Sequence, residues 1–143
     1  MKKIYKRIFL RNDKKKLFLY GFDEHIEKAG KELDITDSAK PHMRWNPSRQ
    51  EWVTYSPSRK NRTFFPPIQY CPLCPGANLN FPTEIPFNNF EIAVFPNRWA
   101  SFSDSGEKIL LDNMKIISSK GECEVIVYSS DHESTVADMS IDR

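Results

Sequence analysis

The sequence is short of glycine and cysteine and has no long apolar run, and each shortage closes off a class of protein. Five glycines among 143 residues, none arranged as a glycine-rich phosphate loop, exclude the nucleotide-binding motifs built on backbone cradles. Three cysteines, two of them close together, fit a metal site in a reducing compartment better than a disulfide framework, which normally uses an even count. No stretch approaches the roughly 20 apolar residues that span a bilayer. The amino terminus is charged but lacks the apolar core of a cleaved leader, so the expectation is an unprocessed cytoplasmic protein without membrane contact. Charge of one sign is also lacking: 21 Lys and Arg against 19 Asp and Glu give a net charge of +2. Bulk charge therefore gives no reason to expect a polyanion as partner, and any phosphate site must be local.

What the chain does hold is proline and aromatic carbon. Ten prolines and ten phenylalanines, with 39% apolar residues, favour extended segments and aromatic packing over long helices. The expected class is α+β or mostly β, with one domain and a tail. Residues 1–41 read as an amino-terminal extension, carrying an apolar patch at Leu17–Tyr20 and a short helix expected from Asp23 to Leu33. From Arg44 the texture changes. Trp45-Asn46-Pro47 signals a turn, and strands are expected at Glu51–Tyr55, Phe90–Phe95 and Cys123–Tyr128. Ser140-Ile141-Asp142-Arg143 resembles a helix start with a serine cap and an acid in the first turn, so the ending looks premature.

Chemistry concentrates in two places. Tyr70-Cys71-Pro72-Leu73-Cys74-Pro75-Gly76 is a rigid knuckle, and its spacing lets two thiolates reach adjacent corners of a tetrahedral zinc at about 2.3 Å each. Two buried packing cysteines, or a redox pair, are the competing readings, although the βα context of a thioredoxin-like pair is missing. His132, just past the Cys123–Tyr128 strand, is a third ligand candidate. His25 and His42 read as surface residues, and Cys123 as a core cysteine. The second place is Ser56-Pro57-Ser58-Arg59-Lys60-Asn61-Arg62, three cations in one short loop. These can grip a pyrophosphate through guanidinium bonds or simply face solvent. Asn97-Arg98 is a second such pair.

These strings occur in a familiar order. Arg44-Trp45-Asn46-Pro47, Glu51-Trp52-Val53, Ser56-Pro57 with Arg59 and Arg62, the Cys71–Gly76 knuckle, Val94-Phe95-Pro96-Asn97-Arg98, Gly121–Tyr128 and Ser129-Ser130-Asp131-His132 together resemble the start of galactose-1-phosphate uridylyltransferases, of the histidine-triad superfamily. The resemblance covers roughly residues 42–143. It implies an incomplete α+β domain, with a mixed, mainly antiparallel sheet and flanking helices. It implies metal ligation by Cys71, Cys74 and His132, with zinc as cofactor, although iron also accepts such mixed ligands. It implies UDP-sugar contacts by Arg59, Lys60, Asn61, Arg62, Asn97 and Arg98, and by Asn80 near the base.

Three departures qualify the carry-over. Ser130 replaces a usual proline, Arg98 stands where aspartate is common, and no His-Pro-His-Gly-Gln motif is present. In the family that motif supplies the fourth metal ligand and the histidine that carries UMP from UDP-glucose to galactose 1-phosphate in galactose metabolism. The chain alone is therefore expected to be an inactive amino-terminal part with no catalytic residue of its own. It would be completed by a missing carboxy-terminal part or a second polypeptide, as a homodimer when whole. The alternative is a small zinc-knuckle module binding RNA or protein, stacking bases on Trp45, Trp52 and Phe64 beside Arg59 to Arg62. That module would bind single strands in a salt-dependent way, whereas the transferase part would select UDP-sugars and ignore nucleic acid.

Overall fold

The computed structural model describes residues 2–35, 40–61, 66–76, 81–103 and 114–140, with the backbone alone described for Asn61. Among the described residues seven strands carry the architecture: β1 (Tyr5–Leu10), β2 (Lys16–Gly21), β3 (His42–Asn46), β4 (Glu51–Tyr55), β5 (Ile92–Pro96), β6 (Ile116–Ser118) and β7 (Glu124–Val127). They form a four-stranded sheet in the order β1-β2-β5-β7 and a three-stranded sheet in the order β4-β3-β6. The chain divides into two compact units. The first comprises Met1–Ile35, Phe64–Phe95 and Val125–Arg143, and the second Thr36–Thr63 and Pro96–Glu124.

The first unit is built on strict alternation. In β2, Leu17 and Leu19 are fully buried while Phe18 and Tyr20 face the other side, as the period of two in a strand requires. Leu19 pairs with Ala93 of antiparallel β5, and Leu17 pairs with Phe9 of antiparallel β1. Ile85, Phe87, Phe90 and Phe95 complete the core, with Val125 and Val127 of β7 packed against it. Each such side chain contributes on the order of 1.5–3 kcal/mol by leaving water. The β1–β2 turn is held by Arg11 and Lys15, whose amide and carbonyl meet at 3.0 Å, and Lys14 adopts a left-handed φ of 62° at its tip. The Asp13 carboxylate accepts the Lys15 amide at 3.0 Å and caps the same turn.

Arg11 is itself buried, paired to Asp13 at 2.6 Å and to buried Glu84 at 3.0 Å. Burial pushes the Asp13 carboxyl up, but the Arg11 hydrogen bond and the Lys15 amide bring it below the ordinary carboxylate value. This ion cluster fastens the hairpin tip to the segment that precedes Phe87.

In the second unit, β3 pairs antiparallel with both β4 and β6. The Asn46 side chain accepts the Ser48 amide at 3.1 Å, closing the turn that Trp45-Asn46-Pro47 signals. Trp45 and Trp52 sit opposite each other and meet edge to face, with ring centres 5.5 Å apart.

The expectation of flanking helices is overturned. Among the described residues there is no α-helix, only short 3-10 turns at Pro57–Asn61, Ile68–Tyr70 and Val136–Asp138. The fold is mainly antiparallel β rather than α+β. The segment Asp23–Leu33 shows why. Arg7 donates to the carbonyls of His25 and Glu27, and the Gly30 amide donates to the Pro86 carbonyl at 2.7 Å. The Glu27 carboxylate accepts the backbone amides of Asn88 and Asn89 at 2.9 and 3.1 Å. Tertiary partners thus take the groups that helical hydrogen bonds would have used. The remaining helix expectation, at Ser140–Arg143, falls on residues 141–143, outside the described residues.

The strand expectations fare better. Glu51–Tyr55 is β4, and β5 and β7 fall within one or two residues of Phe90–Phe95 and Cys123–Tyr128. Among the described residues no helix is long and apolar enough to cross a membrane.

Candidate metal centre and basic loop

The knuckle is placed by its prolines and by the core behind it. Pro67 leads into the 3-10 turn Ile68–Tyr70, and Cys71 ends it in an extended conformation, its amide donating to the Ile68 carbonyl at 3.2 Å. Past the first cysteine the chain is laced to the strand-like run before Phe87. The Glu84 amide donates to the Pro72 carbonyl at 2.8 Å, and the Gly76 amide to the Ile85 carbonyl at 3.2 Å. A β-carbon at Gly76 would stand 2.6 Å from Oδ1 of Asn88, so any larger residue there would have to turn that side chain away. Buried Ile85 and Phe87 therefore fix the height of the loop.

His132 arrives from β7 through a polar turn. The Ser129 hydroxyl accepts the Asp131 amide at 3.1 Å, and Asp131 accepts the Glu133 amide at 3.1 Å and the Ser134 hydroxyl at 2.7 Å. The imidazole Nδ1 lies 3.1 Å from Sγ of Cys74. The ligand atoms of Cys71, Cys74 and His132 all lie within 4.8 Å of one another. Tetrahedral coordination with these donors needs edges of roughly 3.5–3.8 Å, within reach of small side-chain rotations. These three residues can hold a metal ion.

The chemistry of the donors agrees. Burial first, and then the neighbouring Cys71 thiol, push the Cys74 thiol up to about 12. The Cys74 thiol therefore resists ionisation until a cation arrives, and a divalent metal reverses that balance. All three cysteines are free. Cys123 is half-buried one residue before β7, and its carbonyl accepts the Asn97 amide at 2.8 Å.

The basic loop belongs to the second unit. Pro57 starts the 3-10 turn after β4, and Arg59 and Lys60 at its end are exposed. The Ser56 hydroxyl donates to the Ala100 carbonyl at 2.8 Å, and Nη1 of Arg59 donates to the Ser101 hydroxyl at 2.8 Å. These two bonds join the loop to the stretch that begins with Asn97 and Arg98. Asn97 accepts the Trp99 amide on its side-chain oxygen at 2.9 Å and so shapes a turn, while the Arg98 guanidinium lies 5.5 Å over the Trp99 ring. Arg62, Asn80 and the Asn61 side chain lie outside the described residues.

One polar cluster escaped sequence reasoning. His42, read as a surface residue, is only 4% exposed. Its Nε2 accepts a hydrogen bond from Nε of Arg44 at 2.8 Å, and its ring stacks on Tyr55 at 5.9 Å. The Arg44 guanidinium lies 4.3 Å over the same Tyr55 ring. Residues 42 and 44 share a strand face, and Tyr55 pairs directly with His42, a register that neighbours along the chain do not announce. His25 is also half-buried, its Nδ1 lying 3.0 Å from the Asn89 carbonyl.

Comparison with known proteins extends the picture. A family model described as the N-terminal domain of galactose-1-phosphate uridyl transferase matches residues 31–143. Three proteins named galactose-1-phosphate uridylyltransferase are similar. The one from Thermotoga maritima is 30% identical over 69% of this chain and 30% of its own length. The one from Streptomyces lividans is 31% identical over 59% of this chain and 20% of its own length. The one from Saccharomyces cerevisiae is 29% identical over 71% of this chain and 34% of its own length. The chain thus spans about a third or less of the curated relatives it matches. With the family match covering most of its length, this chain belongs to the galactose-1-phosphate uridyl transferase family and corresponds to its N-terminal domain.

Proposed function

We propose that this chain supplies the nucleotide-binding amino-terminal part of a hexose-1-phosphate uridylyltransferase, which moves UMP from UDP-glucose to galactose 1-phosphate. The observation that carries the reading is the approach of Cys74 to His132 across 58 positions, in a chain of this family. Zinc is the proposed metal. Held by Cys71, Cys74 and His132 and closed by a ligand from outside these residues, it ties the knuckle to the β7 strand and stabilises the fold without entering the reaction.

Arg59, Lys60, Asn61 and Arg62, with Asn97 and Arg98, are the proposed pyrophosphate contacts, and Asn80 is proposed near the base. Positive charge there neutralises the phosphate oxygens and positions the α-phosphorus for in-line attack by an imidazole. That imidazole belongs to a His-Pro-His-Gly-Gln motif, which this sequence does not contain, so the chain alone binds without turning over. In this reading the complete enzyme is a cytoplasmic homodimer that does not engage nucleic acid.

The test is calorimetric titration of the chain with UDP-glucose, ADP-glucose and a single-stranded RNA, followed by mixing with a polypeptide carrying the missing motif. Selective UDP-glucose binding, and UMP transfer on mixing, support the reading. Salt-dependent RNA binding without nucleotide selectivity would return the knuckle-module alternative.

A further inference from the structure

One face of the three-stranded sheet gathers hydrogen-bond donors. Tyr55 of β4, His42 of β3 and Ser118 of β6 stand in register across the three strands, and Arg44 follows His42 on the same face. All four belong to the second compact unit. The surrounding sequence is one-sided in charge: residues 40–62 hold six Lys and Arg and a single acid, Glu51. Glu51 shares that face but is engaged by Arg49 at 3.0 Å.

The half-buried Arg44 guanidinium is held from two sides. Its Nε donates to Nε2 of His42 at 2.8 Å, and its carbon lies 4.3 Å from the centre of the Tyr55 ring. With Nε committed, Nη1 and Nη2 remain, and among the described residues neither donates to an acceptor. An arginine fixed in orientation without a carboxylate is a preformed fork for an oxyanion. The buried Nδ1 of His42 is also without a hydrogen-bond partner among the described residues. Because Nε2 accepts, Nδ1 carries the proton, and a buried donor in that state gains free energy when negative charge approaches.

We propose that Arg44 binds a phosphate oxyanion, free or as a monoester, through Nη1 and Nη2, with His42 and Tyr55 as the residues that position it. The local excess of cations favours a phosphate, which carries close to two charges near neutral pH, over a singly charged carboxylate. His42 fixes the rotation of the guanidinium by accepting from Nε, and Tyr55 supports both groups from one side. The site is separate from the basic loop. Arg59 is tied to Ser101 beyond the end of β4, whereas Arg44 lies within β3. The proposal therefore goes beyond the nucleotide reading, and either can fail without the other.

The test is magnetic resonance of the full chain labelled with nitrogen-15 arginine, titrated at constant ionic strength with inorganic phosphate, glucose 1-phosphate and acetate. The Arg44 signals are those missing from Arg44→Lys. Expected is a saturable shift of the Arg44 Nε signal with phosphate, and an affinity lowered roughly tenfold or more in Arg44→Lys, which keeps the charge but not the fork. His42→Phe keeps a ring against Tyr55 but removes the acceptor, and should weaken binding severalfold. Arg59→Ala should leave phosphate affinity unchanged. Glucose 1-phosphate binding at least as tightly as phosphate identifies a monoester as the ligand, and weaker binding identifies free phosphate. Far-ultraviolet dichroism checks the strands of each variant, and the wild-type titration decides where a variant does not fold. Arg44 signals that stay still, or phosphate affinity that survives Arg44→Lys, overturn the proposal. So does affinity lost with Arg59→Ala, which returns the anion to the basic loop, or acetate binding as tightly as phosphate, which assigns Arg44 to a carboxylate.

Discussion

Nδ1 of His132 stands 3.1 Å from Sγ of Cys74, a thiol on a proline-bounded knuckle that is 58 positions earlier in the chain. The knuckle is anchored to the core through Glu84 and Ile85, and the histidine through a turn after β7. A metal ion bound there would link the two segments directly.

Removing that link should show in metal content first. Cys74→Ser or His132→Ala is expected to lower affinity for a divalent transition metal by at least about 100-fold. Competition against a chromophoric chelator checks this, with Cys123→Ser as the control that leaves affinity unchanged.

Acidity should act on the same site with a definite sign. Each thiol proton displaced on binding makes affinity rise about tenfold per pH unit, so metal retention falls as pH falls. The metal-free chain behaves oppositely at high pH. The Cys74 thiol is raised from 9.0 to about 12, so the folded chain holds that proton more tightly than the unfolded one. Its stabilising contribution is complete below about pH 9 and is lost as pH climbs toward about 12. Denaturant titrations of chelated protein across that window would detect the decline.

The buried Arg11–Glu84 pair predicts an asymmetry. Replacing Arg11 alone by Met leaves a carboxylate only 4% exposed beside it, and should cost about 3–5 kcal/mol. Replacing both, with Glu84→Leu, should cost clearly less than the two single changes added together, as a double-mutant cycle in urea would reveal.

Phe87 gives the core its largest single test. It is 1% exposed and receives the Phe9 ring edge-on at 5.0 Å and the Arg7 guanidinium at 4.6 Å. Phe87→Ala is expected to destabilise by about 3–5 kcal/mol, measured as a shifted urea midpoint.

His42 offers a spectroscopic prediction. Arg44 is always a donor, so Nε2 of His42 must accept and its neutral ring must carry the proton on Nδ1. Nitrogen-15 shifts of the ring should report that tautomer, and Arg44→Ala should return the usual mixture.

The sequence disclosed what depends on neighbours along the chain. Glu51–Tyr55 alternates, so β4 was legible to its ends, and the Cys71–Cys74 spacing together with His132 marked three side chains that the fold brings within reach of one metal ion. What stayed hidden depends on partners far away. Asp23–Leu33 has helical periodicity, yet Arg7 and Pro86 claim its backbone groups. His42 looked like a surface residue because only its register against Tyr55 reveals the stack that buries it.

The hairpin of β1 and β2 lies in the first compact unit, beside most of β5. It precedes residue 31, where similarity to the family starts, yet Leu17 and Leu19 are as fully buried as Ala93 within the matched region. Leu19 and Ala93 face each other across β2 and β5, so they share one fixed volume. A larger residue at 93 can be accommodated only by a smaller one at 19. Drift on the two sides of the similarity boundary is thereby coupled, and a chain started at residue 31 would open its own core to water.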